Sequence, residues 1–224
     1  MIEIIGTKEE LYQKIEVEEE KGDSKAAYCI LILMSSFPYW NAIREFVKKT
    51  GTPIERICCD LDFSVFDELI LQQKEDFTFQ GRNRRPPLDN INAMLSFAYS
   101  LLTGMCGSAL ESVGLDAYVG FFHTDRPGRI SLALDIMEEL RSIMADRFVL
   151  TIINKRIIKK SHFIQKESGA VVLTDEGRKL FLSAWQERKK ELITHPFLDE
   201  KIEWGMIPYV QAMLLARSIR GDLD

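Results

Sequence analysis

Hydrophobic positions after residue 90 recur at helical spacing and predict three helices. The first covers residues 91–110 and is apolar on nearly every side, which predicts a central place in the core. Asp89 or Asn90 is a suitable N-cap for it. Residues 130–146 form a second helix with acidic positions on one face, and residues 207–220 form a final helix.

The other segments after residue 60 predict a short helix, a hairpin and a further helix. Residues 66–73 have apolar positions at helical spacing, so we expect a helix there. The apolar pairs at 163–164 and 171–173 flank Glu167-Ser168-Gly169, which is typical of a β-hairpin. Thr174, followed by Gly177, marks the start of a helix that reaches about residue 191.

Residues 1–60 do not continue this pattern. A short strand-like piece at 2–5 precedes a helix that Thr7 and Glu10 can cap, and residues 26–34 fit a buried strand or a buried helix equally well. We therefore predict a mainly α protein. Residues 61–224 form a helical domain with a small β-hairpin, and a short α/β or helical segment at 1–60 precedes it.

Charge and cysteine content narrow the class of protein. The 224 residues carry a net charge of -5, which does not by itself indicate a nucleic-acid binder. Basic residues are concentrated at 81–87 and 154–160, although each run alone also fits a solvated surface. The four cysteines lack Cys-x-x-Cys spacing, which argues against zinc. Neither a signal peptide nor a bilayer-spanning apolar run stands out, so we expect a cytoplasmic protein without a membrane partner.

Residues 114–141 hold the candidate chemistry. His123 follows an aromatic pair, and a helix then places the carboxylates of Asp135, Glu138 and Glu139 three and four residues apart. Imidazole and carboxylate together suit Mn²⁺ or Mg²⁺. The alternative is an acidic helix that is only solvated and stabilised by its dipole, and these residues alone leave both interpretations open.

From residue 63 onward the chain closely resembles the C-terminal helical domain of the CRISPR-associated spacer-acquisition integrases, and within that family the type I-C members. The match rests on several stretches together. They are residues 66–74, 81–99, 109–116, Gly120-Phe121-Phe122-His123, residues 135–141, 146–148, 169–175 and 208–217.

This resemblance implies a metal-dependent DNA endonuclease or integrase that inserts spacer DNA into a CRISPR array by transesterification. It maps the metal ligands onto His123 and Glu138, with Asp135 beside them, and the cofactor is Mn²⁺ or Mg²⁺. The family's third ligand is an upstream glutamate in a Gly-x-Glu-Gly turn. Glu55 matches it by spacing, but its context Pro53-Ile54-Glu55-Arg56 lacks both glycines.

The resemblance also implies partners. DNA, double-stranded or branched, would meet basic residues, of which Arg126 and Arg129 lie next to the metal histidine; the full set is Arg82, Arg84, Arg85, Arg126 and Arg129. Relatives form homodimers that bind a small dimeric adaptation protein. Residues 1–60 do not read as the family's β-rich dimer domain, so we expect weaker dimerisation, which analytical ultracentrifugation would measure.

Two functional hypotheses follow. The first is an active metal-dependent integrase or nuclease that uses Glu55, His123 and Glu138. The second is a catalytically inactive fragment that keeps DNA binding or an assembly role. Tyr99 and Tyr118 either order the site or the DNA or, as we expect, pack in the core as buried tyrosines. We expect His162 and His195 to be surface histidines without a role. Glu111 is expected to make a structural contact and is a weaker candidate for the site.

Overall fold

The computed structural model of the chain describes residues 66–124, 126–195 and 198–222. These residues fall within one unit, Phe63–Asp224. The expectations for residues 1–60, Glu55 included, lie outside the described residues, and so does the predicted boundary near residue 60.

Helix α1 (Asn90–Ser112) is the central element, as its apolar sequence predicts. The side chain of Asp89 caps it by accepting a 2.7 Å hydrogen bond from the backbone N–H of Asn92. The helix packs against α2 (Ser131–Arg141) and α5 (Ile207–Arg220). Among the described residues it alone is long and apolar enough to cross a membrane, but half of its apolar window is buried inside the protein, as in a core helix.

The acidic helix extends further than the sequence predicts. After α2 the chain makes one π-helical turn at Ser142–Asp146 and continues as α3 (Arg147–Asn154). Phe148, Val149, Ile152 and Ile153 of α3 are buried, because they recur at helical spacing on the side that faces the core. The prediction that this helix ends at Asp146 is therefore wrong.

The predicted hairpin and the helix after it are confirmed. Strands β1 (Phe163–Gln165) and β2 (Val171–Leu173) pair antiparallel, and Gly169 takes a positive φ of 80° in the turn between them. Helix α4 (Asp175–Lys189) starts where the Thr174 hydroxyl accepts from the Gly177 N–H at 3.0 Å. A second hairpin, β3 (Leu192–Thr194) with β4 (Lys201–Glu203), follows α4 and was not predicted.

The helix predicted at residues 66–73 is wrong. Only Asp67–Leu69 form a single turn of 3-10 helix, and Ile70 is extended. Tertiary hydrogen bonds compete with the helix. The Asp67 carboxylate accepts from the Phe79 N–H at 2.7 Å, and the Gln73 amide donates to the carbonyl oxygens of Ile153 and Ile158.

Aromatic rings join α4 to α1 and α3. The Phe181 ring lies 5.0 Å from Phe97 of α1 and 5.2 Å from Phe148 of α3. Trp185 then contacts Phe148 edge-on at 5.0 Å and Trp204 at 5.3 Å. Such tilted and edge-on pairs are the favoured aromatic geometries, so α4 and the segment at Trp204 are fixed to α1 and α3.

We predict that Asp89→Ala destabilises the protein by about 1–2 kcal/mol, because α1 loses its N-cap. The Asp89 carboxylate also accepts from the side-chain amides of Asn83 and Asn92. Urea denaturation measures the change. Glu187→Ala, which removes an exposed ion pair with Lys190, is the control and should cost less than about 1 kcal/mol. Equal effects of the two variants would contradict a capping role.

Candidate active site

The loop before His123 is fixed at its start by the N-terminus of α2. The Ala117 carbonyl oxygen accepts hydrogen bonds from the backbone N–H groups of Leu132 and Ala133, at 2.9 and 3.3 Å. Those N–H groups belong to the first helical turn, where no carbonyl of the same helix is available to accept them. The loop therefore substitutes for a side-chain N-cap, which Ile130 cannot provide.

The Asp135 carboxylate fixes the other end of the same loop. Its Oδ2 accepts from the backbone N–H groups of Phe121 and Phe122, at 2.6 and 3.1 Å. Its Oδ1 accepts from the backbone N–H of His123 at 3.0 Å and lies 2.6 Å from the imidazole Nδ1. Asp135 is only 2% exposed, so these contacts replace the water that the charged group loses on burial.

Gly120 lets the loop approach α2 closely. A Cβ atom at this position would lie 2.7 Å from Cβ of Ser131 and 3.0 Å from Oδ2 of Asp135. It would also lie 3.0 Å from the carbonyl oxygen of His123. Any side chain here would push the loop away from the carboxylate that holds it, which explains the glycine in the Gly-Phe-Phe-His stretch.

The contact with Asp135 orients the His123 ring. A carboxylate only accepts hydrogen bonds, so Nδ1 carries the proton and Nε2 is the nitrogen with the lone pair that a metal requires. Carboxylate partners of this kind commonly set the tautomer and direction of a metal-binding histidine. His123 is buried. Because its ring contacts Asp135, the ring is held on the side of α2 where Asp135 lies.

Glu138 lies one helical turn beyond Asp135 and is held by a buried arginine. Nη1 of Arg141 is 2.8 Å from Oε2 of Glu138, and Nε of Arg141 is 3.9 Å from Oδ2 of Asp146. The Arg141 side chain is 2% exposed. Its charge is thus balanced by two carboxylates, one of them a predicted metal ligand. Arg141 is not among the site residues predicted above, although its spacing of three residues from Glu138 is a helical ion-pair signal.

Tyr99 extends this network into α1. Its hydroxyl donates to Oδ1 of Asp146 at 2.5 Å, and the guanidinium groups of Arg82 and Arg141 lie 5.2 and 5.8 Å from its ring centre. Burial raises the pKa of Tyr99 well above its usual value, and the Asp146 carboxylate adds to this effect. Tyr99 therefore remains a protonated donor. Its side chain is only partly buried and belongs to a polar network, which differs from the expected buried core tyrosine.

Arg82, predicted to contact DNA, donates instead to helix α1. Its guanidinium donates to Oδ1 of Asn92 at 2.7 Å and to Oγ of Ser96 at 3.0 Å. The other predicted DNA-binding residues are more accessible. Arg84, Arg85 and Arg126 are exposed and Arg129 is partly buried. Arg126 and Arg129 lie in one tight turn, closed by a 3.0 Å hydrogen bond from the Arg129 N–H to the Arg126 carbonyl.

Glu139 points away from its acidic neighbours and into the core. It is buried and accepts a hydrogen bond from the Gln211 amide of α5. Cys106 of α1 is also buried. Burial raises the pKa of its thiol, and the nearby Glu139 carboxylate raises it further. Glu139 therefore joins α2 to α5, and only Asp135 and Glu138 belong to the candidate site.

The expectations for the two other histidines, for Tyr118 and for Glu111 need correction. His162 and His195 are buried and do not lie on the surface. Their Nδ1 atoms accept hydrogen bonds from the backbone N–H groups of Lys159 and Leu198. Burial lowers the pKa of His195, although its hydrogen bond with Gln211 opposes this. Tyr118 is 51% exposed and not in the core. The Glu111 side chain is exposed, and the contact seen for this residue is its carbonyl oxygen, which accepts from the Gly114 N–H.

The structure brings His123 into contact with Asp135, and Glu138 follows one helical turn further along α2. Glu55, the predicted third ligand, lies outside the described residues. Within residues 66–124, 126–195 and 198–222, no group of three or more His, Cys, Asp and Glu side chains is arranged to hold a metal ion. The described residues thus supply an oriented imidazole and one carboxylate, a donor set that suits Mn²⁺ or Mg²⁺ once further oxygen ligands are added.

Comparison with known proteins identifies the family. A model described as CRISPR associated protein Cas1 matches residues 52–187, more than half of the chain. The chain belongs to the Cas1 family. The CRISPR-associated endonuclease Cas1 2 of Rhodospirillum rubrum is 59% identical over 164 residues, which are 73% of this chain and 48% of that protein. The chain therefore spans about half the length of this Cas1 relative. The type I-C assignment stays a prediction.

Solved structures share the helical Cas1 fold. A casposase bound to its integration product is 25% identical, with a TM-score of 0.66 over 76% of this chain and 47% of that chain. A Cas1 protein from Thermotoga maritima is 23% identical, with a TM-score of 0.69 over 96% of this chain and 64% of that chain. A Cas6-RT-Cas1–Cas2 complex is 20% identical, with a TM-score of 0.64 over 96% of this chain and 22% of that chain. The predicted fold class is confirmed.

We predict that Asp135→Asn destabilises the protein by about 2–3 kcal/mol, because the new amide group faces N–H donors and loses charge-assisted hydrogen bonds. Urea denaturation measures the change. Asp116→Asn is the matched control: it makes the same substitution at an exposed residue of the same loop, whose side chain accepts from the Tyr118 N–H. Asparagine serves equally well in such a turn, so a similar loss in both variants would refute the anchoring role of Asp135.

We predict that Arg141→Met costs about 3–5 kcal/mol, because it leaves the Glu138 and Asp146 carboxylates without their buried cation. Arg220→Met removes an exposed pair with Asp222 and should cost about 1 kcal/mol or less. Thermal and urea unfolding of both variants test this. A loss at Arg141 no larger than at Arg220 would show that the buried pair contributes little.

Proposed function

We propose that this chain is a metal-dependent DNA endonuclease and integrase of CRISPR adaptation, which joins spacer DNA to a CRISPR array by transesterification. One observation carries the proposal: the Asp135 carboxylate fixes the His123 imidazole. Asp135 and Glu138 belong to the same helix, α2. Membership of the Cas1 family and the likeness to a casposase bound to its integration product support it.

The metal ligands in this proposal are His123, Glu138 and Glu55, and the ion is Mn²⁺ or Mg²⁺. When bound, such an ion polarises the scissile phosphate and favours ionisation of the attacking hydroxyl. Asp135 was predicted as a further ligand. Both of its oxygens accept hydrogen bonds from the loop, which favours a positioning role for Asp135.

The chemical step exchanges one phosphodiester bond for another. The 3′-oxygen of the incoming strand forms a bond to phosphorus, and the bond between that phosphorus and the 3′-oxygen of the array strand breaks. The attacking hydroxyl loses one proton and the departing 3′-oxygen gains one, so no external energy source is needed. Attack by water at the same phosphorus gives endonuclease cleavage.

The partners in this proposal are branched or double-stranded DNA, a second copy of the chain and a small dimeric adaptation protein. Exposed Arg126, with Arg129 in the same turn, provides positive charge for the DNA backbone close to His123. Arg84 and Arg85 provide a second exposed basic site. The likeness to a complex that contains Cas1 and Cas2 supports the adaptation partner, and a cytoplasmic location fits these partners.

The test measures Mn²⁺-dependent cleavage and strand transfer on branched DNA. We expect His123→Ala, Glu138→Ala and Glu55→Ala each to reduce the rate by at least about a hundredfold, because each removes a metal ligand, a larger change than loss of an outer-shell partner. Glu111→Gln is the control, since it changes an exposed carboxylate outside the site, and it should retain the wild-type rate.

Calorimetric titration with Mn²⁺ gives an independent measure, and the three variants should each bind the ion more weakly than wild type. Loss of activity at His123 and Glu138 with full activity at Glu55→Ala would exclude Glu55 as a ligand. An inactive wild-type chain that still binds branched DNA would contradict the enzymatic proposal and favour the inactive fragment.

A further inference from the structure

The loop that leads to His123 exposes large apolar side chains beside the candidate site. Tyr118 is 51% exposed, Val119 59% and Phe121 54%. These residues lie within one loop of four, 118–121, which we name the aromatic loop. Single exposed apolar residues are common on protein surfaces, but a cluster within five residues of a candidate metal ligand is typical of a binding surface.

The backbone of the aromatic loop is held at both ends, so its exposed side chains are carried on a fixed support. Ala117, just before the loop, bonds to the first turn of α2. Asp135 holds the N–H groups of Phe121 and Phe122. Because the backbone is already ordered, ligand binding does not have to order it, and this preorganisation raises affinity.

The loop curls back toward the histidine. A Cβ atom at Gly120 would lie 3.0 Å from the His123 carbonyl oxygen. Asp135 binds both the Phe121 N–H and the His123 ring. One carboxylate therefore holds the end of the aromatic loop and the imidazole.

The charged residues next to the aromatic loop indicate which kind of molecule it binds. Exposed Arg126 follows His123 by three residues, with Arg129 in the same turn. The Asp116 carboxylate, on the other side, accepts from the Tyr118 N–H, which turns it toward the backbone of its own loop. Aromatic side chains next to arginines are the surface that unpaired nucleotides prefer, because bases stack on the rings while phosphates meet the cations.

We propose that the aromatic loop is a stacking platform for unpaired nucleotides of the DNA strand next to the scissile phosphate, with Tyr118 and Phe121 as the stacking residues. Bases inside a duplex already stack on each other and do not offer their faces to a protein ring. The loop thus favours splayed or branched DNA over blunt duplex. This inference rests on the proposed function and adds the residues that select the substrate.

The test compares two labelled DNAs of equal length, a blunt duplex and a duplex with unpaired arms, by fluorescence anisotropy with the full chain. We expect wild type to bind the splayed DNA more tightly. Tyr118→Leu and Phe121→Leu should each weaken splayed-DNA binding by about tenfold and leave duplex binding unchanged. Phe121→Trp keeps a stacking ring and should retain wild-type affinity.

Tyr209→Leu is the matched control, because it makes the same substitution at an exposed tyrosine of α5, and both DNAs should bind as to wild type. Equal affinity of wild type for the two DNAs, or unchanged splayed-DNA binding in the leucine variants, would overturn the inference and leave the proposed function intact. Loss of self-association or of adaptation-protein binding in place of DNA binding would overturn it in favour of a protein interface. Absence of binding to either DNA would refute the proposed function itself.

Discussion

The arrangement of the candidate site depends on the buried Asp135 carboxylate. A carboxylate at 2% exposure is stable only if its lost hydration is replaced, and here three backbone N–H groups and one imidazole nitrogen replace it. Because those donors belong to consecutive residues 121–123, their backbone must wrap around a single point. The same interaction thus shapes the loop, places the imidazole and selects its tautomer. Gly120 is required because the wrapped loop passes too close to α2 for a side chain.

A second buried charge, Arg141, links α2 to the π-helical turn and, through Tyr99, to α1. It lies between Glu138 and Asp146, and Tyr99 of α1 donates to Asp146 in turn. The π-helical turn at Ser142–Asp146 belongs to the same network, because Asp146 is its last residue. A buried charge network of this kind restricts the alternatives open to the fold, since any displacement of one member leaves another without its partner. Glu138 is therefore held from the core side of α2, while Asp135 holds the loop.

The sequence predicts the positions of the helices better than it predicts the contacts between side chains. Asp89, Thr174 and Gly169 mark element ends by local rules of capping and turn geometry, so α1, α4 and the first hairpin are predictable. The helix predicted at residues 66–73 is wrong because Gln73 donates a hydrogen bond to α3, some 80 positions along the chain. No local sequence pattern reveals such a partner. For the same reason the hydrogen bonds of Arg82 to α1 and the buried positions of His162 and His195 do not follow from the sequence. The DNA contact of Arg82 stays a prediction. His123, Asp135 and Glu138 were found as candidates, whereas their separate tasks needed the structure.

The positioning roles of Asp135 and Arg141 are the same whether this Cas1 protein is an active enzyme or an inactive fragment. His123 and Glu138 are positioned by Asp135 and Arg141, all of which belong to α2 or to the loop bound to it. The Arg141 network reaches outside these elements, through the Tyr99 hydroxyl of α1 that donates to Asp146. The arrangement of His123 and Glu138 therefore depends on contacts among the described residues. If the proposed function holds, loss of Glu55 as a ligand would lower metal affinity while the contacts of Asp135 with the loop and of Arg141 with Glu138 stay in place.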